Sequence, residues 1–135
     1  MHPWLEMTLR FLLAAGLSAG IGFQREWSGK AAGIRTHILV GSGAALFALV
    51  SIYGFTGSTA DISRVAAGVV IGIGFIGAGV IFRGLRGQDV AGLTSATTIW
   101  ITAAIGLAAG VGLWVISIVA TAVTVGILFL PKVRG

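Results

Sequence analysis

The sequence contains no cysteine, which excludes a disulfide framework, thiol chemistry and cysteine metal sites. Charge is almost as scarce. Only 10% of the 135 residues are charged, whereas soluble domains carry about 25%. A soluble protein of this size needs a polar skin, and this chain has too few charges to make one. Recognisable catalytic sets are missing too: there is no Ser-His-Asp set, no H-E-x-x-H and no P-loop. The expectation is therefore a non-enzyme without a cofactor.

Apolar residues fill the space, at 56% of the chain. They gather into five runs, near residues 5–23, 38–55, 65–82, 93–109 and 113–130. A hydrocarbon core takes about 20 apolar residues per helix. The runs predict one all-α domain over residues 1–135, an integral membrane bundle of five transmembrane helices with no soluble C-terminal domain. Residues 11–20 resemble a signal peptide, but Glu6 precedes them and the run continues to Phe23, so a retained helix is expected.

The net charge of +5 falls between apolar runs, which favours membrane orientation over nucleic-acid binding. Arg25, Lys30, Arg35, Arg83, Arg86, Lys132 and Arg134 lie on the side of the odd-numbered links and the C-terminus, and only Arg10 and Arg64 oppose them. That bias puts the N-terminus outside and the C-terminus in the cytoplasm. Arg10, inside an apolar run, must snorkel outward or find a partner.

Residues 72–77, GIGFIG, fit the dinucleotide fingerprint G-x-G-x-x-G. That motif needs a strand before it and a helix after it, and here it lies inside a membrane-length apolar run. Close helix packing explains the glycines better, because a missing side chain lets backbones approach in lipid. The expected seams use Gly16 and Gly20 in the first helix, Gly68, Gly72, Gly74 and Gly77 in the third, and Gly106 and Gly110 in the fourth. The third helix is expected at the centre of the bundle. Some of these faces instead serve to pair two copies, with a homodimer favoured; other membrane proteins are further candidate partners.

The distinctive polar residues fall on the predicted cytoplasmic side. Arg25 and Glu26 end the first helix, and Arg35, Thr36 and His37 open the second. Thr94, Ser95 and Thr98 open the fourth, where Ser95, Thr98 and Thr102 form one stripe. Each has a bland alternative. The arginines set topology, His37 bonds at a helix start, and the hydroxyls bond to their own helix. Glu26 either pairs with Arg35 or joins a binding site. Asp61 or Ser63 is expected to cap the third helix. Glu26 and Asp89 are the only carboxylates on that side, so Glu26 is the sole weak metal candidate and a magnesium-dehydrating path is doubtful.

Three segments, GIGFQREWSGKAAGIRTHILVGSGAALF (20–47), RVAAGVVIGIGFIGAGVIF (64–82) and VAGLTSATTIWITAAIGLAAGVG (90–112), resemble the MgtC/SapB family of bacterial inner-membrane proteins. The resemblance implies a five-helix membrane domain linked to growth in low magnesium and, in some pathogens, to survival in macrophages. Some members of that family act by binding membrane partners, ATP synthase among them, rather than by carrying magnesium, and the resemblance implies that such a role is open to this chain. It carries over Arg25, Glu26, Arg35, Thr36 and His37, the third-helix glycines and the start of the fourth helix. Virulence-associated members often have Asn where this chain has Thr94, Cys where it has Ile101, and a soluble C-terminal domain. The reading is a non-enzymatic relative that binds a partner, lipid or ion at the cytoplasmic-side cluster. A small transporter or channel is the first alternative and a lipid-acting enzyme the second.

Overall fold

The computed structural model describes residues 3–30, 32–55, 61, 63–84 and 91–130, with backbone alone at 82–84 and 91. These residues form five helices: α1 (Pro3–Trp27), α2 (Ile34–Tyr53), α3 (Ser63–Gly84), α4 (Ala91–Gly110) and α5 (Trp114–Leu128). No strand occurs among them. Four helices, α1 to α4, are long and apolar enough to cross a membrane. The fifth, α5, has 15 residues, and at 1.5 Å per residue it reaches about 22 Å, short of a hydrocarbon core near 30 Å.

The burial pattern is that of a protein dissolved in lipid. The core is mostly alanine, with Ala14, Ala45 and Ala109 in one cluster and Ala44, Ile73, Ile99 and Ala103 in another. Large apolar side chains, including Leu12, Leu39, Phe47, Ile71, Phe75 and Ile118, point outward. The buried face of α5 is Ser117, Thr121 and Thr124, and each hydroxyl donates to a carbonyl of its own helix. Hydrocarbon solvates leucine as well as another leucine does, so helix association relies on small residues and close backbones.

The centre of the bundle is α4, not α3 as the sequence suggests. α4 packs against all four other helices. The buried share is 56% of the α4 span and 6% of the α3 span. α3 lies at the rim, against α4 and lightly against α2. A side chain added at Gly16, Gly20, Gly68, Gly72 or Gly74 would meet nothing within 4 Å, and one at Gly77 would make ordinary contact with Ala96. The tight seam runs along α4, at the expected Gly106 and Gly110. A Cβ on Gly106 would come within 2.2 Å of the Gly41 carbonyl oxygen, and one on Gly110 within 2.8 Å of that of Ala45. On α1, a Cβ on Gly22 would come within 2.6 Å of the Ile34 Cα. Glycine content alone marks both kinds of position, and only the neighbouring backbone separates them.

The ends are closed by specific groups. Asp61 accepts the Ser63 backbone N–H at 3.0 Å and the Ser63 hydroxyl at 2.7 Å, which caps the start of α3. Arg10 finds partners within the protein: it pairs with Glu6 one turn earlier, donates to the Gly110 carbonyl at 3.2 Å and lies 5.9 Å from the Tyr53 ring centre. A cation is favoured at that helix end: the carbonyls of Leu107, Ala108 and Ala109 accept the N–H groups of Val111, Leu113 and Gly112, while that of Gly110, at the negative end of the helix dipole, takes the guanidinium. Gly112, at φ +95°, then turns the chain into α5 beside the same guanidinium.

Candidate functional site

At the other end of α1, Ala14, Ser18, Ile21, Gly22 and Arg25 share one buried stripe. The close approach of Gly22 to α2 directs that stripe inward, so Arg25 in the last turn is carried into the bundle. The Arg25 side chain is only 2% exposed. Its Nη2 donates to the Ser95 hydroxyl in the first turns of α4. Its Nε is buried without a hydrogen-bond partner.

His37, in the first turn of α2, is fully buried and lies within electrostatic range of Arg25. Its Nδ1 is 2.9 Å from the Gly33 carbonyl. A carbonyl can only accept, so Nδ1 carries the hydrogen, while the buried Nε2 has no partner. Ser18 Oγ is a third buried polar atom without one. On α4, Ser95, Thr98 and Thr102 are buried together. Thr98 and Thr102 donate to the carbonyls of Thr94 and Thr98, each at 2.7 Å, so these two hydroxyls serve their own helix.

Glu26 takes no part in this interior. It is exposed, and its Oε1 accepts the Ile34 backbone N–H at 3.1 Å. Of the two alternatives for Glu26, the pair with Arg35 does not form. Arg35 is exposed, and among the described residues the one ion pair is Arg10–Glu6. Unpaired amides and the positive end of the helix dipole stand directly beside the Glu26 carboxylate. Gly33 permits the approach, since a Cβ there would lie 2.5 Å from Glu26 Oε1. Thr36 and Thr94 are half-buried. The Arg83 side chain, Arg86 and Asp89 lie outside the described residues.

The sequence-predicted residues thus divide. Arg25, His37, Ser95 and Thr98 are enclosed between α1, α2 and α4, while Glu26 and Arg35 face outward. Ser18 was missed. Its signal is a spacing of seven from Arg25, which places both on one face of α1. Among the described residues no group of three His, Cys, Asp or Glu side chains is arranged to hold a metal. Two apolar grooves lie away from the polar cluster: one of about 620 Å³ between α2 and α3, walled by residues such as Leu39, Val40, Phe47, Gly68 and Gly72, and one of about 700 Å³ between α1 and α2, walled by residues such as Trp4, Phe11, Leu46 and Tyr53.

Outward apolar side chains, an alanine-lined core and polar groups turned inward at one end define a multi-pass helical membrane protein. Residues 11–134 match the MgtC family, and the chain belongs to it. It is 50% identical over 111 residues to a protein of Escherichia coli K12 named "Putative magnesium transporter YhiD", covering 78% of this chain and 51% of that protein. It is 46% identical over 110 residues to "Protein MgtC" of Salmonella typhimurium LT2, covering 82% of this chain and 44% of that one. A Synechocystis protein, slr0014, is 41% identical over 107 residues, covering 79% and 44%. The chain spans about half the length of the curated relatives it matches. No solved structure matches it.

Proposed function

We propose that this protein works in magnesium homeostasis as a non-enzymatic component of the bacterial inner membrane. It acts by binding a membrane partner, lipid or ion at the end where α1 finishes and α2 and α4 begin. The observation that supports this reading most is the enclosure of Arg25, His37 and Ser95 between three helices, with two of them holding buried, unpartnered nitrogens. Desolvating such groups is costly, and a bundle built only for packing has no use for them. In this reading the chain crosses five times, with the N-terminus outside, so the cluster faces the cytoplasm. The open α3 glycine face pairs two copies.

The test is growth at low magnesium of a strain lacking its own relative. Wild-type protein restores growth, and Arg25→Gln and His37→Gln abolish the rescue at equal membrane abundance. Rescue by both variants would remove the cluster from the function. Topology is read separately with Lys30→Cys and Gln88→Cys, which a chain without native cysteine makes unambiguous. Labelling of the two on opposite faces would overturn the cytoplasmic placement.

A second reading, a small magnesium transporter, draws support from the name of the Escherichia coli relative. The side chains weigh against it. Magnesium is bound through carboxylates and waters, while the enclosed cluster is led by a cation and excludes Glu26. Magnesium flux through purified wild-type protein in liposomes, lost in Glu26→Gln, would favour the transporter.

A further inference from the structure

Arg25 presents a chemical imbalance. A guanidinium offers its Nε–H and Nη2–H side by side, a fork matched to two oxygens of one carboxylate or phosphate. Here Nη2 is on the Ser95 hydroxyl and Nε is on nothing. The chain has four acidic residues. Glu6 is paired with Arg10, Glu26 accepts from Ile34, and Asp61 caps α3. Asp89 lies outside the described residues. A buried charge without a counter-ion is unstable in a low-dielectric interior.

The surroundings point to the kind of anion. Arg25 is in the last turn of the first membrane-length helix and Ser95 in the first turns of the fourth. Both lie at helix ends, which in the proposed membrane arrangement are at headgroup depth, where phosphates are the abundant anions. The amides at the start of α4 and its dipole add a field that favours negative charge. His37 Nε2 provides an acceptor for a phosphate that carries a proton.

Resting on the reading of this end as a binding site, we propose that Arg25, Ser95 and His37 form a site for a phosphate-type oxyanion, either a lipid phosphate or free phosphate. One oxygen takes the Nε–H of Arg25, and a second joins or displaces the Ser95 hydroxyl at Nη2. Because Nε is closed off in the structure, occupancy requires the neighbouring side chains to move apart.

The experiment uses the full chain in a neutral detergent without phosphate. Thermal stability is followed on adding inorganic phosphate, and native mass spectrometry follows retention of phosphatidylglycerol against a phosphate-free glycolipid of equal chain length. The expected result is that wild type responds to at least one phosphate source. Response to inorganic phosphate alone assigns free phosphate, and retention of phosphatidylglycerol alone assigns the lipid. Arg25→Gln weakens the binding at least tenfold and Ser95→Ala several-fold. Lys30→Gln, an exposed cation on the same side, leaves it unchanged. A wild type indifferent to both sources overturns the proposal, as it would if Asp89 already filled the fork. Equal binding by Arg25→Gln overturns it too, as does equal loss in Lys30→Gln. Should Arg25→Gln not fold, the wild-type and Ser95→Ala titrations decide alone. If phosphate fails while Arg25→Gln still abolishes low-magnesium growth, the binding-site reading stands and only the oxyanion assignment falls.

Discussion

α1 carries an arginine near each end, and the protein treats them in opposite ways. Arg10 is half-buried, paired with Glu6 and bonded to the Gly110 carbonyl at the end of α4. Its charge is balanced and its task is mechanical: it ties the start of α1 to the turn between α4 and α5. Arg25 is more deeply buried, has one hydroxyl partner and no carboxylate among the described residues. Membrane interiors hold charged side chains where function needs them. The arginine with a paired carboxylate closes the fold, and the buried arginine with no carboxylate among the described residues marks the candidate site.

Both ends depend on the seam between them, so the largest effect is expected there. Gly106→Val drives a side chain into the Gly41 backbone and should cost about 3 kcal/mol, the upper range for overpacking. Reversible unfolding in mixed micelles measures it, and both arginine contacts should loosen together. Arg10→Gln leaves Glu6 without its cation and the end of α4 without its cap, at about 1–2 kcal/mol. The contrast sharpens with Arg25→Gln. Removing an unpaired buried charge is neutral or stabilising, so in phosphate-free detergent its unfolding midpoint should equal or exceed that of wild type. A loss as large as that of Arg10→Gln would erase the difference between the two ends. The smallest effect is expected at Gly72→Ala. Its surroundings are open, and alanine favours helix by up to about 1 kcal/mol. A monomer should be unaffected or slightly stabilised. If α3 pairs two copies, crosslinking between copies in native membrane should fall.

The class of protein and the rough helix positions are legible in the sequence because both are set by local composition. Hydropathy runs of membrane length found α1 to α4 within a few residues. They overstated α5, whose regular helix stops at Leu128. The gathering of Arg25, His37 and Ser95 at one end also follows from alternating crossings. The partners did not follow. Charge offers Glu26 either Arg35 or a binding site, yet the nearer group is the Ile34 amide at the start of α2, which carries no sequence signature. The glycine seams divide for a similar reason: Gly106 and Gly110 meet a backbone as expected, and the α1 and α3 glycines expected to do so do not. A small-xxx-small spacing says that a close approach is allowed, not that a neighbour is there. Gly68 and Gly72 satisfy the pattern on an open face, while Gly22 and Gly41 fill the seam without having been singled out.

What the sequence alone determined is the solvent and the inventory: apolar runs commit the helices to lipid, and a chain with four acids has few ways to neutralise its cations. The tertiary structure decided which helix sits at the centre, which glycines touch a backbone and which arginine is buried with no carboxylate beside it among the described residues. Those outcomes depend on distances between residues far apart in the chain. Nothing in local composition constrains such distances until the helices pack.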